Sequence, residues 1–403
     1  SMNTVPRMPH HERCPELGTG PIPVEPYISQ ESYEKEIEKI YKRDWLCVGR
    51  VEEIAKAGDY KVKRLDFANT SAIIMRGKDG DIRSFHNVCR HRGNKVVTET
   101  GGEETFGNSR AAVVTCRFHG WVYDAKGQLI NVPQEDRFAA CFDKSTISLV
   151  PIHTDIWEGF IWINLAETPR QTLREFLGGL VEHYAGYPFH TMTDVHTYYA
   201  HINCNWKTGM DAFCEGYHVP TIHAGSLPGL TNMWSDNLMI FGDHRSLSAF
   251  SSEANPPTPV GNAANDIFSA SIVAKAQDRF ALPPGINPTR SNHFGFEETI
   301  VFPNLLIQCG GGLWFTHQFW PTSQNSCMWE GKYYLQAPET NSELWAQRYA
   351  VTLQRNAWYE DTATMEDTQR ALSSGFLKEM HFMDEEILLR HAFRVIDDRV
   401  NSN

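Results

Sequence analysis

The 403-residue sequence contains no run of 18 apolar residues, and its N-terminus lacks a basic-then-apolar stretch. A helix needs about 20 apolar residues to cross a bilayer, so neither a membrane span nor a secretory leader is expected. The chain is expected to be soluble and cytoplasmic. Basic residues are scarce beside acidic ones, 37 Lys and Arg against 49 Asp and Glu, for a formal charge of −12. Phosphate surfaces would repel such a chain, which argues against nucleic acid or an anionic membrane as partner. No internal repeat, low-complexity tract or Gly-rich dinucleotide fingerprint is present. The nine cysteines are odd in number and scattered, which does not suit a disulfide framework. What remains is an ordinary globular balance, 41% hydrophobic and 21% charged, at a length suited to two domains.

Local patterning predicts an α+β protein in three parts. After a Pro-rich lead-in, Ser29–Arg43 reads as a helix with Ser32 as N-cap and Glu34 and Glu36 in its first turn. From Trp45 to Leu165 short β-type runs alternate with turns: Ser71–Met75, Val113–Cys116, Trp121–Tyr123, Leu129–Val132 and Gly159–Asn164. Asp124–Gly127 reads as a hairpin connection. Downstream, a helix over Cys204–Val219 is expected to end at Pro220, because proline disfavours helix at the preceding residue. Strands are expected over Thr299–Gln308, Leu313–Trp320 and Cys327–Gln336, and helices over Ser342–Leu372 and Asp384–Val400. The weakly periodic Ser251–Ser291 reads as a long loop or lid. The domains are then a segment 1–44 packing on the C-terminal domain, a small all-β domain 45–165, and an α+β domain 166–403. The last is expected to be helix-grip-like, a long antiparallel sheet wrapped by helices.

Two cysteines carry histidines at fixed offsets. Cys89-Arg-His91 and Cys116-Arg-Phe-His119 form C-x-H…C-x-x-H with 24 residues between the halves. Each half offers one thiolate and one imidazole from a tight loop, with Gly93 and Gly120 permitting close backbone approach. Two thiolates on one iron and two imidazoles on the other is the ligand set of a Rieske [2Fe–2S] cluster. A structural zinc site usually pairs Cys with Cys and His with His, so mixed halves disfavour it.

A second constellation is Asn205-Trp206-Lys207…Asp211…Glu215-Gly-Tyr217-His218-Val-Pro220-Thr-Ile-His223. Histidines five apart lie about 140° from each other on an unbroken helix, so they converge only if the helix breaks, and Pro220 is taken as the break. With a carboxylate they would form the two-His-one-carboxylate face that suits an Fe(II) centre binding O₂ and substrate together.

The two patterns together resemble the Rieske non-haem iron oxygenases, specifically the terminal oxygenase (alpha) subunit of the aromatic-ring-hydroxylating dioxygenases. The resemblance rests on Cys89–His91, Cys116–Trp121, the Tyr123…Gly127 hairpin, Asn205–Lys207, Glu215, Tyr217-His218 and His223. It departs in the length between the cluster halves, whose surplus Glu99–Ser109 reads as a surface excursion, and in Asp211, where the family often has Asn.

The resemblance implies a [2Fe–2S] cluster on Cys89, His91, Cys116 and His119, and a mononuclear Fe(II) on His218, His223 and a distant aspartate. The acidic pair Glu360-Asp361, followed by Glu366 and Gln369, matches that family region. Asp361 is favoured over Glu360 because it shares a helical face with Ala357, Trp358, Met365 and Leu372, whereas Glu360 lies about 100° away and Glu366 and Asp367 face water. It also implies a ring of protomers, typically a homotrimer or an alpha-beta hexamer, because cluster and iron within one chain lie too far apart. Glu215, one turn before His218, matches the carboxylate that bridges an iron histidine to the neighbour's cluster histidine, His119 or less favourably His91. Asp211, a further turn back, would support that network. O₂ is the implied co-substrate, with electrons from NAD(P)H through a separate reductase, with or without a ferredoxin. The expected substrate is a small aromatic or other apolar ring compound, Leu305–Trp320 and Met210–Phe213 being candidate pocket walls, with hydroxylation or oxidative dealkylation as outcome. A quaternary-ammonium substrate in an aromatic cage is the alternative. Readings from other classes are a non-catalytic Rieske electron carrier, with about two irons per chain instead of about three, and a zinc hydrolase, which leaves Cys89–His119 unexplained.

Overall fold

The structure, a computed structural model, describes residues 8–227, 233–251, 258–276 and 282–402. The chain divides into two compact units, Ile37–Phe176 and a second made of Ser1–Glu36 with Leu177–Asn403.

In the Ile37–Phe176 unit, seven antiparallel strands run in the spatial order Leu46–Arg50, Phe160–Asn164, Pro151–Trp157, Ile82–His86, Thr70–Arg76, Asp59–Leu65, Glu104–Asn108. A three-stranded sheet joins Val113–Thr115, Val122–Asp124 and Leu129–Asn131. One apolar cluster holding Val62, Ile73, Phe85, Trp121, Tyr123 and Leu129 also takes in Cys89 and Cys116. The Asp124–Gly127 hairpin closes with Gly127 at φ +85°, a left-handed conformation that suits glycine. Glu99–Ser109 differs from expectation. Its second half pairs with Asp59–Leu65 as the sheet's edge strand, and Glu104 meets the buried Lys61 at 2.8 Å.

In the other unit, seven antiparallel strands run in the order Asp194–Ile202, Ser326–Leu335, Leu313–Ser323, Leu305–Cys309, Phe294–Val301, His244–Ser251, Met233–Phe241. The 33-residue helix Asn341–Ser373 packs Trp358 against Phe315, His317, Trp329 and Tyr333 of this sheet. Helix Trp206–Phe213 packs on the same side through Gly209, where a Cβ would lie 2.4 Å from the Phe319 ring.

Several expectations are corrected. The helix expected over Ser29–Arg43 runs as Gln30–Glu36 continued by a π-helical stretch Ile37–Tyr41, with a separate short helix Glu25–Ile28 before it, and the cap is Ser29, whose Oγ accepts the Ser32 N–H at 3.1 Å. The helix expected over Cys204–Val219 stops at Phe213. Pro220 lies in the first turn of a separate short helix, Val219–Ile222, where its missing N–H costs nothing. Thr299–Gln308 is two strands with a turn at Phe302–Asn304 between them. Within Ser251–Ser291, residues Pro259–Ala276 form a helix instead of a loop; residues 252–257 and 277–281 of that stretch lie outside the described residues.

Candidate metal centres

The cysteine loops are built alike. The Cys89 N–H donates to the Asn94 carbonyl and the Gly93 N–H to the Cys89 carbonyl; Cys116, Trp121 and Gly120 repeat the pattern at the same offsets, at 2.8–2.9 Å. Both glycines sit at positive φ, +79° and +75°, which lets each loop fold back on its cysteine. The thiols of Cys89 and Cys116 are buried, whereas His91 is half-buried and His119 exposed. The two imidazole Nδ1 atoms lie 3.1 Å apart. Two nitrogens bound at right angles to one metal at about 2.1 Å would be separated by about 3 Å, so this pair fits one iron. The buried sulfurs fit the other, as a Rieske cluster requires.

Support around the cluster loops comes from residues whose roles the sequence did not disclose. The Tyr123 hydroxyl lies 3.2 Å from Cys89 Sγ and accepts the Arg90 N–H at 2.9 Å. Burial and the neighbouring Cys89 push its phenol well up. Asn94 Nδ2 lies 3.7 Å from Cys116 Sγ, and Trp121 stacks on His91 with centroids 4.9 Å apart.

His218 and His223 bracket the short helix Val219–Ile222 as its N- and C-caps. Because both lie at its ends, their rings turn toward each other, 5.2 Å between centroids, without a break at Pro220. Asp361 enters from the long helix, and its Oδ1 lies 3.2 Å from each Nε2. These three donor atoms form a compact group able to hold a metal ion. Asp361, Ala357, Trp358, Met365 and Leu372 are all buried on one face of that helix.

The outer ring nitrogens are held as well. Glu215 Oε1 lies 2.6 Å from His218 Nδ1, and its other oxygen accepts the His218 N–H at 3.1 Å. Glu360 Oε2 lies 2.6 Å from His223 Nδ1 and accepts from Ser226 Oγ at 2.7 Å. Glu360 therefore orients a histidine instead of joining the triad. With each Nδ1–H donated to a carboxylate, each Nε2 lone pair is left to face Asp361 Oδ1. Burial lowers the His218 pKa, but Asp361 and Glu215 outweigh it and raise it to about 10; His223 is also raised, and the two imidazoles hold Asp361 low despite its burial. The attraction that favours positive charge on the imidazoles beside Asp361 is one that a divalent cation held by the three donor atoms would also satisfy. The N₂O donor set fits Fe(II).

The Asn-Trp-Lys motif anchors this site. The Asn205 side chain caps helix Trp206–Phe213, its backbone N–H donates to Gln369 of the long helix at 3.0 Å, and Thr208 donates to the same Gln369 oxygen at 2.8 Å. Trp206 Nε1 and Lys207 Nζ both donate to the buried Glu36, at 2.8 and 2.7 Å. Asp211 is placed elsewhere than expected. Its carboxylate accepts the Tyr27 hydroxyl, away from the Glu215–His218 pair, and burial raises its pKa to about 7. Glu366, expected to face water, is half-buried and accepts the Asn203 N–H at 3.1 Å.

The triad opens on a cavity of about 800 Å³. Phe213, Gln308, Phe315 and His317 line it, but most of Leu305–Trp320 and Met210–Phe213 does not. Trp329 Nε1 donates to His317 Nδ1 at 3.0 Å, which leaves the His317 Nε2–H as a donor, and burial depresses the imidazole to about 3.

Comparison with known proteins agrees with this geometry. The model of the Rieske [2Fe–2S] domain matches residues 44–151, and that of the ring hydroxylating alpha subunit (catalytic domain) matches 189–402, just over half of the chain. The carnitine monooxygenase oxygenase subunit of Escherichia coli (strain K12) is 28% identical over 205 residues, 51% of this chain and 52% of that protein. The benzene 1,2-dioxygenase subunit alpha of Pseudomonas putida is 31% identical over 215 residues, 51% of this chain and 44% of that protein. The chain thus spans about half the length of the curated relatives it matches. Among solved structures, a quaternary ammonium Rieske monooxygenase superposes with TM-score 0.76 at 20% identity, over 99% of this chain and 100% of the other. Naphthalene 1,2-dioxygenase from Rhodococcus sp. gives 0.73 at 19%, over 96% of each; both likenesses concern the fold. No described helix is long and apolar enough to cross a membrane. With a Rieske segment followed by the ring-hydroxylating catalytic segment, the chain belongs to the Rieske oxygenase alpha-subunit family, whose cofactors are a [2Fe–2S] cluster and a mononuclear iron.

Proposed function

We propose that the protein is the oxygenase component of a multicomponent system, taking O₂ and electrons from a separate NAD(P)H-dependent reductase, directly or through a ferredoxin, to hydroxylate or dealkylate a ring-bearing apolar substrate in the cytoplasm. The observation that carries this reading is the convergence of His218 Nε2 and His223 Nε2 on Asp361 Oδ1, each 3.2 Å from it, at the wall of a cavity of about 800 Å³. In it, Cys89, His91, Cys116 and His119 hold the cluster, and His218, His223 and Asp361 hold the iron. The domains assigned are 45–165 for the cluster and 166–403 for the iron, with 1–44 packing on the latter.

The cluster supplies single electrons, and the iron supplies O₂ activation. The protein contributes position. Glu215 and Glu360 fix the imidazole tautomers, while Phe315 and Trp358 help keep the cavity apolar. We assign Glu215 the bridging role between protomers of a ring, typically a trimer. Its oxygens already accept from His218, and each retains a further lone pair for His119 of a neighbour. A screen for substrate-dependent O₂ uptake with a surrogate reductase tests the activity. About three irons per chain are expected, against about two for an electron carrier. Glu215→Gln should leave both centres loaded and abolish turnover; normal turnover would remove the bridging role.

A further inference from the structure

The floor of the cavity is one transverse row of the sheet. Leu247, Glu298, Gln308, Phe315 and Tyr333 are successive cross-strand neighbours on five strands, and all five line the cavity. Leu247 stands at one end of the row, Phe315 and Tyr333 at the other, and Glu298 and Gln308 between them. Glu298 is 7% exposed, its Oε2 accepts from Gln308 Nε2 at 3.0 Å, and its Oε1 is buried with no hydrogen-bond partner. A buried carboxyl oxygen left bare is costly unless something binds it, and in a ligand cavity that something can be the ligand.

The surroundings say what charge it would carry. Among the described residues, the cavity is lined by Glu215, Glu298, Asp361 and Glu385 but by no Lys or Arg. Arg245 is buried and does not line the cavity, and it acts on Glu298 only through space. Burial pushes the Glu298 carboxyl up to about 8, with Glu215 adding to the rise and Gln308, His218 and Arg245 pulling against it; a cation placed at its bare oxygen would favour the charged form. Phe296 lies two residues before Glu298 on the same face of its strand, Phe294 also lines the cavity beyond a bulge, and Phe250 stacks on Trp234, 5.8 Å between centroids. Aromatic faces and a carboxylate together favour a cationic nitrogen with apolar substituents.

We propose that Glu298 is the specificity-determining residue of this cavity, with its free Oε1 anchoring a single cationic nitrogen carried by an otherwise apolar, ring-bearing substrate, which narrows the substrate class proposed above. The anchor rests on the oxygenase reading only in taking the cavity as the substrate site, and it is tested by binding without turnover. Benzyltrimethylammonium and its neutral carbon isostere, neopentylbenzene, differ in charge at nearly constant shape. Titrated into the metal-loaded protein, the cation should bind on the order of tenfold more tightly than the isostere. Glu298→Gln should abolish that preference, and Glu298→Asp should retain part of it. The visible cluster absorbance and iron content serve as the control for folding. Equal binding of the two probes by the native protein, or an undiminished preference in Glu298→Gln, would overturn the proposal. A protein without two kinds of iron would instead sink the oxygenase reading, so the two failures are distinct.

Discussion

Replacing Glu360 separates the two carboxylates that the sequence left in competition. Glu360 Oε2 lies 2.6 Å from His223 Nδ1 and 2.7 Å from Ser226 Oγ, while Asp361 Oδ1 faces both histidine Nε2 atoms at 3.2 Å. Removing an outer carboxylate partner from a metal-bound histidine typically costs about 10–100-fold in metal affinity, or about 1.4–2.7 kcal/mol. Glu360→Gln keeps a neutral acceptor at the same place, so a loss near the tenfold end is expected. Glu360→Ala removes the acceptor and should approach the hundredfold end. Asp361→Ala deletes a donor atom and should exceed both. Chelator competition for Fe(II) in anaerobic, cluster-loaded protein measures all three, with the visible cluster absorbance as an internal standard. If Glu360→Gln loses as much iron as Asp361→Ala, Glu360 is a direct ligand and the assignment is inverted. If Glu360→Ala binds iron like the native protein, the contact with His223 has no part in holding the site.

Tyr123→Phe removes the hydroxyl beside Cys89 Sγ and should lower the cluster's reduction potential by roughly 20–60 mV, the equivalent of one hydrogen bond, as read by redox titration; an unchanged potential would refute the contact. Glu36→Ala strands the buried Lys207 and should destabilise by about 3–5 kcal/mol in urea unfolding, with Glu36→Ala/Lys207→Met recovering part of it; a neutral single variant would show the pair is not buried. Gly209→Ala drives a methyl into the Phe319 ring and should cost about 1–3 kcal/mol, seen as a lower Tm; no change in Tm would contradict the close approach. Burial depresses His391 to about 3 in the folded chain, so the unfolded chain takes up its proton first and stability falls as pH drops from about 6.5 toward 3. His391→Gln should flatten that acid slope in urea midpoints, and an unaltered slope would refute it.

What could be read in advance was what lies close in sequence. The cysteine loops are self-contained turns, so the residue types at Cys89, His91, Gly93 and their counterparts near Cys116 already state the geometry. Asp361 was separable from Glu360 because a helical face is a local property, and its inward neighbours Ala357, Trp358 and Met365 mark it. The roles of Tyr123 and Glu360 were hidden because their partners Cys89 and His223 lie 34 and 137 residues away. Helix Pro259–Ala276 escaped notice because its apolar residues keep no steady period.

Asp211 shows a different kind of failure. Its assignment to the Glu215–His218 network assumed a helix running through all three residues, whose face could be extrapolated at 3.6 residues per turn. The helix ends at Phe213, so beyond that point the face of Asp211 says nothing about Glu215 or His218. The same ending frees His218 and His223 to sit outside regular helix, at the two caps of a single turn. An uninterrupted helix would have kept the histidines about 140° apart and aligned Asp211 with Glu215. The break that cost Asp211 its expected role is therefore the condition for the histidines to meet Asp361.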